Sequence, residues 1–405
     1  MQRVTLDQGS QDKMPQPLNN IRIVDLSRIL AGPLASMMLA DFGADVLKVE
    51  SPYGDETRSW CPPVTPDGTS TYFTALNRNK RSVVVDFNNP DDLAALMTHI
   101  RKADVVIENF RPGVLTKFGL GYEQLRSHNP KLIYCSISGF GDRHGAHLPG
   151  FDLLVQALGG LMSITGEPDG PPSKVGVALV DVLAAQNAIS GILLALRERE
   201  QSGEGQQVGI SLLTSLLAGL TNQASGTLAT GEPPARLGNA HPSIAPYETF
   251  NTADGVLAVG VGNDRQFASL IGELRLQDLV RDARFATNAL RVKHRQELKV
   301  LIEEALQSRT AAEWQGQLMS AGVPAGKVNS VLEAIEFAGS LGLEPVVAIT
   351  DESNGRTTRH IANPIGLSRT PARYTRVPPE LGEHQNLLCT ADTIHHSNQA
   401  NKGNR

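Results

Sequence analysis

Residues 21 to 50 read IRIVDLSRILAGPLASMMLADFGADVLKVE. The run from Ile21 to Leu26 is apolar and rich in β-branched residues, which is typical of a strand. Leu34 to Phe42 shows a helical pattern that Gly43 closes, and Pro33 suits the first turn of a helix. Ala44 to Glu50 is a second strand-like run. A strand, a helix and a strand in this order predict a parallel unit with a right-handed crossover.

The alternation of strands and helices continues along the chain. The further predicted elements are Ser82 to Asp86 (strand), Pro90 to Lys102 (helix), Asp104 to Glu108 (strand), Tyr122 to Ser127 (helix), Leu132 to Ile137 (strand) and Gln206 to Ile210 (strand). This order predicts an α/β fold with an open parallel sheet. The turn after the first strand, Ser27 to Pro33, lacks G-x-G-x-x-G, which argues against a dinucleotide site.

A second, smaller α+β domain is predicted in the middle of the chain. Asn251 to Gly255 predicts a hairpin turn, and helices are predicted over 266–274, 292–307 and 311–321. A further helix of small residues is predicted before this domain, over 211–225. The predicted domain bounds are 1–16 (disordered extension), 17–200 (large domain), 201–224 (linker), 225–320 (small domain), 321–385 (return to the large domain) and 386–405 (frayed tail).

Composition narrows the class of protein. The chain has 405 residues, 40% of them hydrophobic, and a net charge of −5, which argues against general nucleic-acid binding. Cys61, Cys135 and Cys389 lack metal or disulfide spacing, so we predict no metal site and a reducing, cytoplasmic location. We identify no apolar run of membrane-spanning length and no secretory signal, and we therefore expect no membrane association.

The stretch from Gly150 to Glu200 carries the most chemical information. Gly150-Phe151-Asp152 opens an apolar run, and residues 166–172, GEPDGPP, form a turn. Val175 to Val180 is predicted to be an apolar strand that leads through Asp181 into a buried helix. An Asp at such a junction is more often a helix N-cap than a catalytic group. The apolar flanks nevertheless predict a desolvated carboxylate, which a helix N-terminus helps to keep ionised and usable as a nucleophile.

These motifs together resemble the class III coenzyme A transferases, the CaiB/BaiF family. The resemblance rests on Gly150-Phe151-Asp152, the turn at 165–172, Asp181 before a long apolar helix, and Arg199 to Gln206. It implies a Rossmann-like large domain built from both chain ends, a smaller middle domain and an interlocked homodimer. It also implies that Asp181 is the nucleophile.

The resemblance assigns a set of positions to coenzyme A (CoA), which is expected as part of the substrates and not as a tightly bound cofactor. These positions are Arg28, Leu30, Ala31, Ser51, Val85, Asn88, Asn109, Phe110, Arg111, Lys117, Phe151 and Asp152. Some relatives have Gln at the place of Leu30 and Arg at the place of Ser51. Phosphates need cations, so Arg78, Lys80 and Arg81 are further candidates, although such a cluster is equally typical of a solvated turn.

The leading hypothesis is transfer of CoA from an acyl-CoA donor to a small carboxylic or dicarboxylic acid. The sequences of residues 27–33 and 238–247 resemble most those of members that use dicarboxylates with succinyl-CoA as the donor. Glutarate-type and oxalate-type members both resemble this chain, so the acceptor stays open. The tetrahedral intermediates need hydrogen-bond donors for the oxyanion. Candidate substrate-loop residues are Gly238, Asn239, His241, Gly260 and Gly262, although ordinary turns explain these residues equally well.

Two other functions stay open at this point. An α-methylacyl-CoA racemase shares the fold but needs two acid-base groups, and Phe151 stands where racemase relatives have His. Asp264 falls near the place of a racemase acid. The third hypothesis is a non-catalytic or NAD-binding α/β protein, which the missing glycine motif disfavours.

Overall fold

The computed structural model describes residues 15–388. The predicted extension and tail therefore lie largely outside the described residues, as does Cys389. The exceptions are Gln16, which is buried, and the helical turn Gln385–Leu388, whose last residue packs into the core.

The chain divides into two compact units, and each is described by itself. Among the described residues, the first unit comprises 15–159, 175–225 and 344–388, and the second comprises 160–174 and 226–343. These bounds differ from the predicted ones, because residues 160–174 and 321–343 both belong to the second unit.

The first unit contains an all-parallel six-stranded sheet in the order β3-β2-β1-β4-β5-β6. This order is that of a doubly wound dinucleotide-binding sheet. Its strands are β1 (Arg22–Asp25), β2 (Asp45–Glu50), β3 (Lys80–Val84), β4 (Val105–Glu108), β5 (Ile133–Ser138) and β6 (Gln207–Ser211). All six predicted strands are confirmed within two residues at each end. Residues 201–224 are not a linker, because β6 within them is an edge strand of the sheet.

Helices cover both faces of this sheet. The helices of the first unit are α1 (Ala31–Ala40), α2 (Thr71–Thr74), α3 (Pro90–Ile100), α4 (Tyr122–His128), α5 (Asp152–Leu158), α7 (Leu179–Ser202) and α8 (Leu212–Gly219). Val106 packs with α3 and α4 in one apolar cluster. The next residue, Ile107, lies on the opposite face beside Gly32 of α1, as strand geometry requires. Helices α1 and α7 pack against each other and against the sheet.

Helix α7 is the longest helix of the described residues. Its 24 residues have a mean hydropathy of 1.8 over their most apolar window, so length and composition alone would allow a membrane span. This corrects the expectation that the chain has no such run. The helix packs against β5, β6, α1 and α8, and Val180, Ala184 and Ile192 are fully buried, which is the arrangement of a core helix.

The predicted helix at 211–225 is interrupted. It consists of α8 and of α9 (Thr221–Thr230), which spans the boundary between the two units. The break falls at Thr221, whose φ of 42° is incompatible with a continuous α-helix.

The second unit is built on a three-stranded antiparallel sheet, β7-β8-β9. The strands are β7 (Tyr247–Asn251), β8 (Val256–Gly260) and β9 (Ala325–Lys327), and the helices are α6 (Leu161–Ile164), α10 (Asp264–Glu273), α11 (Asn288–Lys293), α12 (Arg295–Leu306), α13 (Ala311–Ser320) and α14 (Val331–Ser340). The predicted hairpin turn at 251–255 is confirmed. Phe250, Phe285 and Trp314 anchor its apolar core.

The end of the chain belongs to the first unit. It forms the hairpin β10 (Val346–Thr350) and β11 (Thr357–Ile361) and then runs beside β3. Asn79 Oδ1 accepts the backbone N–H groups of Thr375 and Arg376 at 2.8 and 3.1 Å, and Gln385 Oε1 accepts that of Val84 at 2.8 Å. These contacts explain how a C-terminal segment completes the first unit.

Candidate active site

The carboxyl ends of β1 and β4 are tied together by one side chain. Asn109 Oδ1 accepts the backbone N–H of Arg28 at 2.8 Å, and Asn109 Nδ2 donates to the backbone oxygen of Arg28 at 2.7 Å. Both ends of the Asn109 amide are therefore hydrogen-bonded to the loop between β1 and α1. Its assignment as a CoA contact stays a prediction.

This loop is strained where it meets α1. Ile29 has a φ of 68°, a conformation that a β-branched residue rarely adopts and that costs on the order of 1–3 kcal/mol. Its N–H donates to Asp55 Oδ2 at 3.2 Å, which helps to hold it there. Gly32 lies so close to Ser27 that an added Cβ would be 2.1 Å from the Ser27 hydroxyl oxygen. The local backbone thus fixes where α1 begins.

A buried ionic network lies below the loop. Lys48 Nζ is 2.9 Å from Asp55 Oδ2, and Lys80 Nζ is 3.1 Å from Asp25 Oδ2. All four side chains are almost completely excluded from solvent. Burial lowers the pKa of Lys80 to about 8, whereas its charge and that of Lys48 hold the pKa of Asp25 below its usual value despite burial.

The cations at 78–81 are not available for phosphates in the way the sequence suggested. Arg78 pairs with Asp41 at 2.7 Å, Lys80 is taken up in the buried network, and Arg81 pairs with Asp45. The reason is position: these residues lie before or at the start of β3, whereas ligands bind outside the carboxyl ends of parallel strands. They are also not a solvated turn, since Arg78 and Lys80 are buried.

A cavity of about 440 Å³ lies at the carboxyl ends of β1 to β4. It brings together five predicted CoA positions, namely Arg28, Ser51, Val85, Asn88 and Phe110. Aromatic side chains form part of its wall, with the rings of Phe87 and Phe118 5.5 Å apart. Such a wall suits the face of a nucleobase, since aromatic rings stack on one another.

Arg28 supplies positive charge to this cavity. Its guanidinium lies over the ring of Phe110 at 4.6 Å and pairs with Glu56 at 2.7 Å. Because that pair is about 40% exposed, it contributes little to stability and is easily exchanged for another anion. The Nε of Arg28 is buried without a hydrogen-bond partner among the described residues. Arg28 can therefore still donate to a bound phosphate.

A second, smaller cavity of about 70 Å³ holds Asp181. Four predicted CoA positions line it as well: Ala31, Asn109, Phe110 and Arg111. Phe110 and the loop after β4 thus border both cavities. Gly139 and Gly150 form another part of the wall and touch through their backbones, since a Cβ on Gly139 would be 2.4 Å from the Cα of Gly150.

Asp181 does not occupy the predicted place at the helix boundary. Helix α7 begins at Leu179 after the N-cap Ala178, so Asp181 lies in its first turn. The prediction of a strand over Val175 to Val180 was wrong, because residues 175–178 have irregular backbone and Leu179 and Val180 already belong to α7. Val177 is 61% exposed. The helix end is covered by Asp152 instead, whose Oδ1 accepts the N–H of Val180 at 2.8 Å.

The carboxyl of Asp181 is a weaker acid than usual. Burial, and then the negative charge of Asp152, raise its pKa to about 7. The sequence predicted a desolvated carboxylate that the helix N-terminus keeps ionised. The carboxyl is buried as predicted, but a pKa of about 7 leaves part of the population protonated near neutral pH. A nucleophile of higher pKa is a stronger base once it is deprotonated.

Tyr72 is a neighbour of Asp181 that the sequence did not reveal. Burial raises the pKa of this phenol to about 12, with further contributions from Asp181, Asp152 and Asp55. It therefore stays a neutral hydrogen-bond donor. The only sequence signal was its place just before the basic cluster at 78–81.

Three other predicted positions line neither cavity, and two of them are exposed. Phe151, the N-cap of α5, is 56% exposed. Lys117 lies exposed on the helical turn Leu115–Phe118, and Leu30 is buried as the N-cap of α1. Neither Lys117 nor Arg111 has a side-chain hydrogen bond to another described residue, so both can take an anion.

The five candidate substrate-loop residues all lie in the second unit. The backbone N–H groups of Gly238, Gly260 and Gly262 already donate within that unit, to Gly166 O, Pro324 O and Gln266 Oε1. Asn239 Nδ2 donates to Thr249 Oγ1 at 3.0 Å, and the ring of His241 packs edge-on against Tyr247. These three glycine N–H groups are thus already hydrogen-bonded in this structure and are not free to donate to an oxyanion.

The residue considered as a racemase acid is also engaged. Asp264 Oδ1 accepts from Arg291 at 2.6 Å, and that guanidinium is 2% exposed. The contact ties the exposed side chain of Asp264 to a buried guanidinium of the second unit.

Comparisons with known proteins agree with this geometry. A model of the family described as CoA-transferase family III matches residues 18–385. A succinate–glutarate CoA-transferase of Agrobacterium fabrum is 46% identical over 393 residues, which cover 93% of this chain and 96% of that protein. A succinyl-CoA:glutarate CoA-transferase of Mus musculus is 38% identical over 93% of this chain and 86% of that protein.

A solved structure shows the same fold. The crystal structure of a CaiB/BaiF family protein from Brucella suis matches with a TM-score of 0.83 and 40% identity, over 93% of this chain and 99% of that one. The parallel six-stranded sheet, the Asp181 cavity and these matches converge on one assignment. The chain belongs to CoA-transferase family III and is a transferase enzyme.

Proposed function

We propose that this enzyme transfers CoA from succinyl-CoA to a small dicarboxylic acid, with Asp181 as the covalent nucleophile. The observation that carries the proposal is the cavity in which Asp181 meets Ala31, Phe110 and Arg111. The relatives that transfer CoA between succinate and glutarate support the substrate class.

The first half-reaction begins with the anionic carboxylate of Asp181. It attacks the carbonyl carbon of the thioester, the C–S bond breaks, and a mixed anhydride and the CoA thiolate result. The thiolate then attacks the aspartyl carbonyl of the anhydride. This step releases succinate and leaves CoA on Asp181 as a thioester.

The second half-reaction runs the same steps in reverse with the acceptor. The acceptor carboxylate attacks the aspartyl thioester, forms a new anhydride and releases the thiolate. The thiolate then attacks the acceptor carbonyl, which gives the new acyl-CoA and restores the Asp181 carboxylate. Charge and atoms balance without an added acid or oxidant.

Each tetrahedral intermediate needs donors for its oxyanion. The first turn of α1 begins at Ala31, which lines the Asp181 cavity, and the first N–H groups of a helix have no helical partner. We assign this helix end as the oxyanion site in preference to Gly238, Gly260 and Gly262. The preference rests on the engagement of those three amides within the second unit.

The CoA moiety fits the two cavities that share Phe110. The larger cavity, with Arg28 and its aromatic wall, suits the nucleotide end, and the smaller cavity with Asp181 suits the thioester. Ser51 cannot supply the charge that Arg gives in some relatives. Arg28, Arg111 and Lys117 are the cations that remain for the phosphates.

We also propose a homodimer with interlocked chains, located in the cytoplasm. Large apolar side chains are exposed on α5, α7 and α14, including Leu158 (68%), Leu194 (71%) and Val331 (80%). Burial of these side chains against a second chain would remove apolar surface from water. The two described cysteines are free thiols, which suits a reducing compartment.

The racemase alternative gains no support from the site. Phe151 cannot carry a proton, and Asp264 is paired with Arg291. A racemase requires two acid-base groups at one carbon atom.

A panel of acceptor acids tests the proposed substrates. The enzyme is incubated with succinyl-CoA and glutarate, oxalate, mesaconate or acetate, and the acyl-CoA products are identified by mass spectrometry. We expect glutaryl-CoA or another dicarboxyl-CoA to form fastest. Preference for a monocarboxylate, or no transfer from succinyl-CoA, would contradict the substrate assignment.

A further inference from the structure

Two side chains of α5 face the start of α7. Asp152 and Gln156 are one helical turn apart, and Gln156 Nε2 donates to Asp152 Oδ2 at 2.6 Å. The other oxygen of Asp152 accepts the N–H of Val180 at 2.8 Å and lies 3.4 Å from that of Asp181. The carboxylate of Asp152 thus lies against two successive backbone N–H groups, those of Val180 and Asp181.

Gln156 is fully buried although it is polar. Its Oε1 accepts the N–H of Val175 at 2.9 Å, and its Nε2 also lies 3.5 Å from the backbone oxygen of Val177. Buried polar groups are nearly always satisfied, and here one amide satisfies the irregular segment that leads into α7. Gln156 therefore holds the approach to Asp181, while Asp152 holds the helix end itself.

We infer that Asp152 and Gln156 form a brace that positions the nucleophile Asp181 for attack on the thioester. The inference rests on the proposed function, since it takes Asp181 as the nucleophile. The brace fixes the backbone that leads into Asp181, up to its own N–H, without using its carboxylate, and Asp181 lines the cavity. Neither side chain is needed to touch the substrate for this role.

The geometry has a reason in helix electrostatics. A helix N-terminus stabilises a negative charge, so the first N–H groups of α7 stabilise the carboxylate of Asp152. Ala178, the N-cap residue, has no side-chain oxygen and therefore cannot accept these N–H groups. The sequence places the capping carboxylate 28 residues before the helix that it caps.

The brace also changes the electrostatics of the nucleophile. The groups that face Asp181 are Asp152 from α5, Tyr72 from α2 and Arg111 from the loop after β4. On α7 itself the next charged residue is Arg197, more than four turns away. Asp152 is therefore the one anion among these that disfavours ionisation of Asp181.

Three variants test the brace. Gln156→Leu removes both hydrogen-bonding ends at similar size, and Asp152→Asn keeps the shape and a capping oxygen but removes the charge. Asn129→Leu is the matched control, because Asn129 is a partly buried amide that donates to Ala103 O at 2.8 Å, far along the chain from this site. The readouts are kcat and KM for succinyl-CoA, the pH dependence of kcat, and Tm.

We expect Gln156→Leu to lower kcat about 10- to 100-fold with KM within about twofold, as expected for a nucleophile displaced by a fraction of an ångström. Asp152→Asn should move the acidic limb of kcat to lower pH by about one unit, because a like charge has been removed. Asn129→Leu should lower Tm and leave both kinetic readouts unchanged.

The brace is overturned if Gln156→Leu and Asp152→Asn behave like Asn129→Leu, with a lower Tm but unchanged kcat and pH limb. If Gln156→Leu does not fold, the pH limb of Asp152→Asn decides alone. Asp181→Asn separates this failure from that of the proposed function: normal turnover by Asp181→Asn would reject the nucleophile itself, whereas an inactive Asp181→Asn beside unaffected brace variants rejects only the brace.

Discussion

Asn109 binds both backbone hydrogen-bonding groups of Arg28 with one side-chain amide, at 2.8 and 2.7 Å. The two residues are 81 positions apart, at the ends of neighbouring strands β1 and β4. The contact joins the loop that carries Arg28 to the loop that carries Phe110 and Arg111. The proposed CoA site therefore depends on an amide that does not itself need to touch CoA.

We predict that Asn109→Ala raises KM for succinyl-CoA about tenfold and changes kcat less. Two hydrogen bonds are lost, each with a net value of about 0.5–1.5 kcal/mol, and Arg28 is freed to move. Asn89→Ala is a matched control, because Asn89 is an N-cap of α3 whose loss costs stability alone. Equal KM values for the two variants, measured by steady-state kinetics, would contradict this role.

Glu108 gives a prediction about pH. Burial raises its pKa from 4.5 to about 7, and it accepts the N–H of Phe110 at 2.9 Å and the hydroxyl of Ser136. A raised pKa means that the folded state binds the proton more tightly than the unfolded state. Its contribution to stability is therefore present below about pH 4.5 and is lost as the pH rises through about 7.

Glu108→Gln should remove this loss, because a neutral amide can accept from Phe110 and donate to Ser136. We expect the free energy of unfolding of the variant to exceed that of the wild type by about 1–3 kcal/mol at pH 8, and by much less at pH 4.5. Thermal melts across this range measure it, with the exposed Glu123→Gln as control. A difference that does not grow with pH would show that Glu108 is ionised without cost.

The proposed dimer predicts behaviour on dilution. Interlocked chains cannot separate without unfolding, so light scattering should give twice the chain mass of 43.4 kDa down to nanomolar concentration. Dilution should not produce a folded monomer. A monomer with native circular dichroism at low concentration would contradict the interlocked arrangement.

We predict no exchange of the α-proton of a 2-methylacyl-CoA in deuterated water. The site lacks the second acid-base group, and Phe151→His alone should not create one. Mass spectrometry measures deuterium uptake, with CoA transfer in the same sample as proof that the enzyme is active. Rapid uptake by the wild type would favour an isomerase.

The sequence predicted the sheet better than it predicted the site. Strands β1 to β5 are short apolar runs that are buried over most of their length, and such runs are easily recognised in the sequence of a parallel sheet. The run at 175–180 looks the same in the sequence, yet none of it is a strand. Val175 and Val177 bond to Gln156 and not to a neighbouring strand, and Leu179 and Val180 begin α7. Hydrophobic pattern alone does not identify a partner.

Some site residues could be predicted from the sequence and others could not. Arg28, Phe110 and Asp181 follow strands or begin a helix, so their places could be matched by motif. Lys80 and Gln156 could not be interpreted without the fold. Lys80 forms a buried ion pair, and Gln156 bonds to Asp152 and to the segment that leads into α7. Both roles are set by residues far away in the sequence.

The central claim is that Asp181 carries the acyl group and then CoA covalently. Its most direct test is to incubate the wild type and Asp181→Asn with succinyl-CoA and no acceptor, trap with hydroxylamine, and locate the modification by peptide mass spectrometry. Asp278→Asn, an exposed carboxylate on a helical turn of the second unit, is the control. We predict an adduct at Asp181 in the wild type and the control, none in Asp181→Asn, and a loss of transfer of more than about 1,000-fold in that variant alone. Normal turnover by Asp181→Asn, with no adduct in the wild type, would contradict the mechanism.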